Sequence, residues 1–317
     1  MSTVETALGP VATAELGPTL MHEHVVTRSP GVQENWPHLW DRPAILALAE
    51  RKMADLYGRG IRSLVDLTTV DLGRDIGLIV DVARRSPVHI IVATGVWWMP
   101  QRYFSAHGID AVAELFVRDI TQGIGTSNVK AAVIKCATDT AGVTPVIENI
   151  LRASARAQKA TGVPISTHTW AAGRVGEVQQ AIFAQEGVDL RRVIIGHSGD
   201  SDDLKYLRGL MERGSTIGMD RFGLDNFLPT EKRVEVLARL CAEGYAGRMV
   251  LSHDANCWTD MLSEDAKQRT RPRWHYTHIS DDILPALRQA GVKEDQIEQM
   301  LVRNPRAIFE GSGRAPA

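Results

Sequence analysis

Short apolar runs rich in Val and Ile recur along the chain, and each is followed by a stretch whose apolar residues return at a helical period. The runs fall at 19–26, 63–69, 89–96, 131–137, 163–169, 193–198, 215–220 and 248–254. Between them the helical period covers 45–57, 75–85, 111–123, 144–161, 173–187, 201–214 and 230–244. Near-continuous apolar strands are what a parallel sheet covered on both faces requires. Eight such strands alternating with helices predict one α/β domain over residues 1–317, a (β/α)8 or TIM barrel with its chemistry at the C-terminal mouth of the strands. An open doubly wound sheet would want a glycine-rich turn after the first strand. No GxGxxG or GxxxxGK motif occurs, and the first strand carries His22-Glu23-His24 instead. Residues 1–18 read as a short polar arm or hairpin with Gly9-Pro10 and Gly17-Pro18 as turn marks. After the eighth strand come a long connection, 255–280, and a last helix pair, 281–291 and 295–302, that stops at Asn304-Pro305.

Composition narrows the class. With 44% hydrophobic and 23% charged residues and a net charge of −2, the chain is an ordinary globular protein. That near-neutral balance gives no electrostatic reason to expect nucleic acid or an anionic membrane as partner. Three cysteines, Cys136, Cys241 and Cys257, are too few and too odd for a disulfide scaffold and point to a reducing compartment. The N-terminus lacks a basic and apolar leader pattern, and no run approaches the roughly 18 apolar residues of a membrane helix, so the expected location is the cytoplasm.

The polar residues inside the apolar runs carry the chemistry. His22 and His24 share one face of the first strand while Glu23 points away. The other strand ends contribute Lys135, His168, His197 and Asp254. One such histidine is ordinary in a barrel core. Four at the mouth of one barrel, with an aspartate on the last strand, fit a metal site, because buried imidazoles without partners cost stability. Lys135 is out of place there as an ammonium, but its reaction with carbon dioxide would make a carbamate, an anion with two oxygens able to bridge two metals.

Seven stretches in order extend this reading: Thr19-Leu20-Met21-His22-Glu23-His24, Val92-Ala93-Thr94-Gly95, Ile134-Lys135-Cys136-Ala137-Thr138-Asp139, Ser166-Thr167-His168-Thr169, Gly196-His197-Ser198-Gly199-Asp200, Gly218-Met219-Asp220-Arg221-Phe222-Gly223 and Leu251-Ser252-His253-Asp254. Together they resemble the phosphotriesterase family of the amidohydrolase superfamily, and within it the phosphotriesterase-like lactonases. The resemblance implies a hydrolase of ester bonds with two divalent metals, zinc first and cobalt, manganese or iron as alternatives. His22, His24 and Asp254 would take the more buried ion and His168 and His197 the other. N6-carboxylated Lys135 and a nucleophilic hydroxide would bridge them, with Asp254 as proton acceptor. Asp200 and Arg221 would steady Asp254 and border the cavity. A homodimer is implied by the same resemblance.

Substrate features are mixed. Trp97 stands where the lactonases usually carry a tyrosine, as in the organophosphate hydrolases, whereas Asp220-Arg221 and the short loop 222–229 resemble the lactonases. Asn256 takes a position where cysteine is common. Trp97, Trp98, Arg221, Asn256, Trp258 and Trp274 are the expected substrate contacts, forming a largely apolar channel. Trp36 and Trp40 fit a channel wall or a dimer contact equally well. The basic run Lys267–Arg273 reads as a solvated loop face or as a lid over the site. A lactonase with side activity on phosphotriesters and aryl esters is the leading expectation. The alternatives are a hydrolase of another ester, amide or organophosphate, and a barrel that binds metal without turnover, against which the intact ligand set argues.

Overall fold

The hairpin β1 (Thr3–Thr6) and β2 (Gly9–Ala12), paired antiparallel, leads the computed structural model, which describes residues 2–311. Met1 and residues 312–317, the ends of the 1–18 arm and of the 1–317 single-domain reading, lie outside the described residues. The staves follow: β3 (Thr19–Thr27), β4 (Ser63–Asp66), β5 (His89–Gly95), β6 (Val133–Thr138), β7 (Ile165–Thr169), β8 (Val193–Ile195), β9 (Thr216–Met219), β10 (Met249–Leu251) and β11 (Asn256–Thr259). Each pairs in parallel with its neighbour from β3 to β10, and β11 pairs with β3, Asn256 opposite His24 and Trp258 opposite Val26. That last pairing closes a (β/α)8 barrel in which β10 and β11 are two halves of the eighth stave.

Alternation along the strands sorts the apolar residues into two layers. Val65, Ile91, Ala93, Val133, Ile194 and Val250 form one cluster with Val4, Leu16, Ile308 and Phe309, so the hairpin and the C-terminal helix cap the base of the barrel interior. Their strand neighbours Leu64, Ile90, Val92, Ile134, Ile195, Ile217 and Leu251 belong to the larger layer beneath the helices. Helices begin where short polar side chains satisfy the first free N–H groups: Asp41 accepts from Ala44 N at 3.0 Å, Asp75 from Leu78 N at 2.9 Å and Asp203 from Tyr206 N at 3.0 Å.

Two stretches differ from the sequence expectation. The eighth strand does not run unbroken to 254. It leaves the ladder at 252–255, where Asp254 adopts a left-handed conformation (φ 56°), and resumes as β11 inside the expected long connection, which also holds a helix, Glu264–Thr270. Nor does the chain stop at Asn304-Pro305. A π-turn, Gln299–Arg303, passes into a helix, Asn304–Glu310, with Pro305 in its first turn, where the missing N–H is tolerated. Asn304 Nδ2 donates to Ala246 O and Met249 O (2.8 and 2.7 Å) and ties this helix to the base of the eighth stave. Among the described residues no helix is long and apolar enough to cross a membrane.

Candidate metal centre

Six polar side chains converge at the strand ends. His24 Nε2 lies 3.0 Å and His22 Nε2 3.5 Å from Asp254 Oδ1. His197 Nε2 is 3.7 Å from Asp254 Oδ2 and 2.9 Å from His168 Nδ1. Lys135 Nζ is 2.7 Å from His22 Nε2. The donor set of His22, His24 and Asp254 suits a divalent cation in number, spacing and chemistry. His22, His197 and Asp220 lie equally close together. There, however, the carboxylate meets the Nδ1 side of both rings, so Asp220 is their support and the Nε2 atoms face the cavity.

Every histidine of the cluster has its other nitrogen held. Asp220 takes His22 Nδ1 at 2.9 Å, His197 Nδ1 at 3.0 Å and the His197 backbone N–H at 2.7 Å. Thr68 Oγ1 holds His24 Nδ1 at 2.9 Å, and Asp139 Oδ2 holds His168 Nε2 at 2.6 Å, which turns His168 Nδ1 toward the cluster. Such partners fix ring orientation and tautomer. Asp220 fits inside the barrel only because β9 carries Gly218, where a Cβ would come within 2.3 Å of the Asp220 carboxylate. His197, like Asp254, sits at φ 56°, a conformation that costs a non-glycine residue about 1–2 kcal/mol.

Burial lowers His22 and His168 to about 4 and His197 well below the ordinary histidine range, so these three imidazoles stay neutral with their lone pairs available. Burial also brings the Lys135 amine down to about 8, against the pull of Asp254 and Asp220. For Asp254, burial opposes the anion, yet His197, His22, the His24 hydrogen bond and Arg221 together hold it well below the usual carboxylate range. Arg221 Nε donates to Asp254 Oδ2 and its Nη1 to Asp200 Oδ2, both at 3.0 Å, and Arg233 closes the chain on Asp200 Oδ1 at 2.7 Å. On the opposite face of β3, fully buried Glu23 accepts from Ser252 Oγ (3.0 Å), His253 N (2.9 Å), His253 Nδ1 (2.7 Å) and Ala255 N (2.8 Å).

The cluster opens into a cavity of about 190 Å³ walled by Leu72, Trp97, Leu224, Phe227, Met261 and Trp274, with Arg221, Asn256 and Arg271 on its rim. The sequence model of the phosphotriesterase family matches residues 2–309. The chain belongs to the phosphotriesterase family. It is 47% identical over 99% of both chains to the phosphotriesterase homology protein of Mycobacterium tuberculosis strain H37Rv. With the aryldialkylphosphatase of Saccharolobus solfataricus it shares 38% identity, over 94% of this chain and 96% of that one. The solved structure of the phosphotriesterase from Mycobacterium tuberculosis superposes with a TM-score of 0.95, covering 98% of this chain and 99% of that chain. This phosphotriesterase-family member is therefore a hydrolase.

Within this phosphotriesterase-family barrel, the six strand-end residues singled out in the sequence meet, and Asp200 and Arg221 stand behind Asp254. Trp97, Asn256 and Trp274 line the cavity, and Trp97 Nε1 donates to His168 Nδ1 at 3.3 Å. Two expected contacts are corrected. Trp98 is off the cavity wall: it follows Trp97 at a bend in the chain, its side chain is exposed, and its ring meets that of Trp97 edge-on, centroids 5.3 Å apart. Trp258 is off it as well, because Trp40 from the first loop meets it edge-on at 5.2 Å while Arg28 covers Trp40 at 4.8 Å. The basic run divides: Lys267 is buried, and Arg271 reaches the cavity rim. Asp220, Asp139 and Thr68 escaped the sequence reading as supports, although the strand-end rule that picked Asp254 applies equally to Asp220 and Asp139.

Proposed function

We propose that this family member is a binuclear metal-dependent hydrolase that opens lactones and also cleaves phosphotriesters and aryl esters. The observation that carries the reading is the convergence of five imidazole or carboxylate donors, His22, His24, His168, His197 and Asp254, with the Lys135 amine at the strand ends. His22, His24 and Asp254 would hold one ion, His168 and His197 the other, with zinc as the first choice. When bound, the ions supply an activated water and polarise the carbonyl or phosphoryl oxygen. Lys135 would serve as a carbamate: the free amine, favoured by burial, attacks carbon dioxide, an N–C bond forms, and the displaced proton leaves to water. Asp254 accepts a proton at a carboxylate oxygen, and Arg221, bonded at Oδ2, holds that carboxylate in place. The apolar wall excludes water from the acyl or aryl part of the substrate.

A panel of lactones, phosphotriesters and aryl esters, run with metal analysis, tests this. About two equivalents of divalent metal and measurable lactone opening are expected. Full turnover in protein stripped of divalent metal would refute the mechanism. The second reading, an organophosphate or other ester hydrolase with little lactone activity, is favoured by Trp97, which gives an indole N–H where a phenol would offer an acidic donor and an acceptor; the relative named aryldialkylphosphatase agrees with it. Trp97→Tyr is expected to raise the ratio of lactone to phosphotriester kcat/KM about tenfold. An unchanged ratio would discard the role assigned to that position.

A further inference from the structure

A second cavity, of about 250 Å³, lies behind Trp274; it shares Asn256, Arg271 and Trp274 with the catalytic one and none of the metal-centre residues. Its polar lining is built around one carboxylate. Glu264 accepts from Lys52 Nζ through Oε2 at 2.6 Å and from Lys267 Nζ through Oε1 at 2.8 Å. Each ammonium makes one further bond, Lys52 to Cys257 O at 2.9 Å and Lys267 to Asn256 Oδ1 at 2.5 Å. An ammonium carries three donors, so each keeps one N–H with no protein acceptor among the described residues. Arg271, its guanidinium 5.5 Å from the Trp274 ring, pairs with no carboxylate among the described residues. Asp55, exposed on the helix Arg42–Gly58, is the second carboxylate of the lining. Lys52, Lys267 and Arg271 against Glu264 and Asp55 leave one positive charge uncompensated, and Lys267 is buried. Burial lowers the Lys267 amine, Glu264 opposes that, and the Lys52 charge adds to it. A monoanion seated there takes up the spare N–H groups and the spare charge together.

Ester hydrolysis makes such an anion from uncharged reactants. A neutral ester or lactone and water give a carboxylate, a hydroxyl group and a proton; a phosphotriester gives a phosphodiester monoanion in the same way. We propose that the cavity behind Trp274 is a monoanion site, separate from the metal centre, that takes the carboxylate or phosphodiester product, with Lys52, Lys267 and Arg271 as its donors. Arg271, on the rim of both cavities, is where the product passes from one to the other. The source of the anion rests on the ester-hydrolase reading above; the site itself does not.

The test is calorimetric titration of the cobalt-loaded protein with butyrate, diethyl phosphate, inorganic phosphate and neutral butyramide, the visible cobalt spectrum being recorded on the same samples. Butyrate is expected to show a binding event of about one equivalent that leaves the cobalt bands unmoved, at least about tenfold tighter than any with butyramide. Lys52→Met is expected to weaken that event about tenfold, and Arg271→Gln to weaken it as well. Glu264→Gln removes the internal anion and is expected to strengthen it by about threefold or more. A merely structural disturbance would weaken binding in every variant, and thermal midpoints verify that each is folded. Absence of a spectrally silent event, butyramide binding as tightly as butyrate, or weakening by Glu264→Gln as well as by Lys52→Met overturns the site. Inorganic phosphate binding more tightly than both butyrate and diethyl phosphate overturns the assignment to product. A silent butyrate site in a protein that hydrolyses no ester refutes only the ester-hydrolase reading.

Discussion

Replacing Lys135 by alanine is expected to lower kcat/KM by about three orders of magnitude, roughly 4 kcal/mol of transition-state stabilisation, and to reduce bound divalent metal. The side chain is fully buried, its nitrogen 2.7 Å from His22 Nε2 and surrounded by candidate ligands. An unmodified ammonium at that point would repel cations; a carbamate would bind them. The alanine variant leaves a space about the size of a small carboxylic acid. Added acetate or propionate is therefore expected to recover part of the activity and metal content. The measurement is turnover and metal stoichiometry with and without the acid. An alanine variant with full metal content and wild-type rate would dismiss the carbamate.

The second large effect is expected from a residue on the far face of the same strand. Glu23 takes four donors from 252–255, the segment in which Asp254 holds its left-handed conformation. Ser252 Oγ also accepts from His22 N at 2.8 Å, and Asp254 N donates to His22 O at 3.1 Å, so the clamp joins the first stave to the last. Glutamine has the same volume but a single oxygen, so Ala255 N or the donors at Oε1 must then face an NH2 group. An unsatisfied buried donor costs about 1–3 kcal/mol, and a segment no longer clamped lets the strained backbone at Asp254 relax away from its wild-type conformation. Glu23→Gln should therefore lose about 1–3 kcal/mol, lower Tm by a few degrees, and weaken divalent-metal affinity by about 10–100-fold through misplacement of Asp254. Scanning and titration calorimetry read both. A variant that melts and binds metal like the wild type would remove Glu23 from this role.

Strand and helix periods carried the barrel, because every stave must hide both faces and every helix one. The metal cluster was legible for the same reason inverted: His22, His24, Lys135 and His168 are polar residues inside runs that burial should make apolar. What stayed hidden depends on partners distant in sequence. Glu23 was read as pointing away from the metal face, and it does; only the fold brings 252–255 against it. Trp98 and Trp258 looked like pocket walls because an aromatic residue near a site gives no sign in sequence of what it packs on, and Trp40 claims one of them. Pro305 reads as a stop by its lost N–H, yet the preceding π-turn makes it the start of another helix.

The interruption in the eighth stave separates two tasks. Met249–Leu251 and the Glu23 clamp set the Asp254 carboxylate, whereas Asn256–Thr259 and the helix after it shape the entrance. Length or composition in 260–273 can therefore be exchanged in engineered variants without dragging the carboxylate along. A side-chain tether crosses the divide: Trp274 Nε1 donates to the backbone oxygens of His253 and Asp254 at 3.1 and 3.2 Å. A grafted entrance that keeps this indole inherits a working centre, and one that drops it must supply another cap for those two carbonyls.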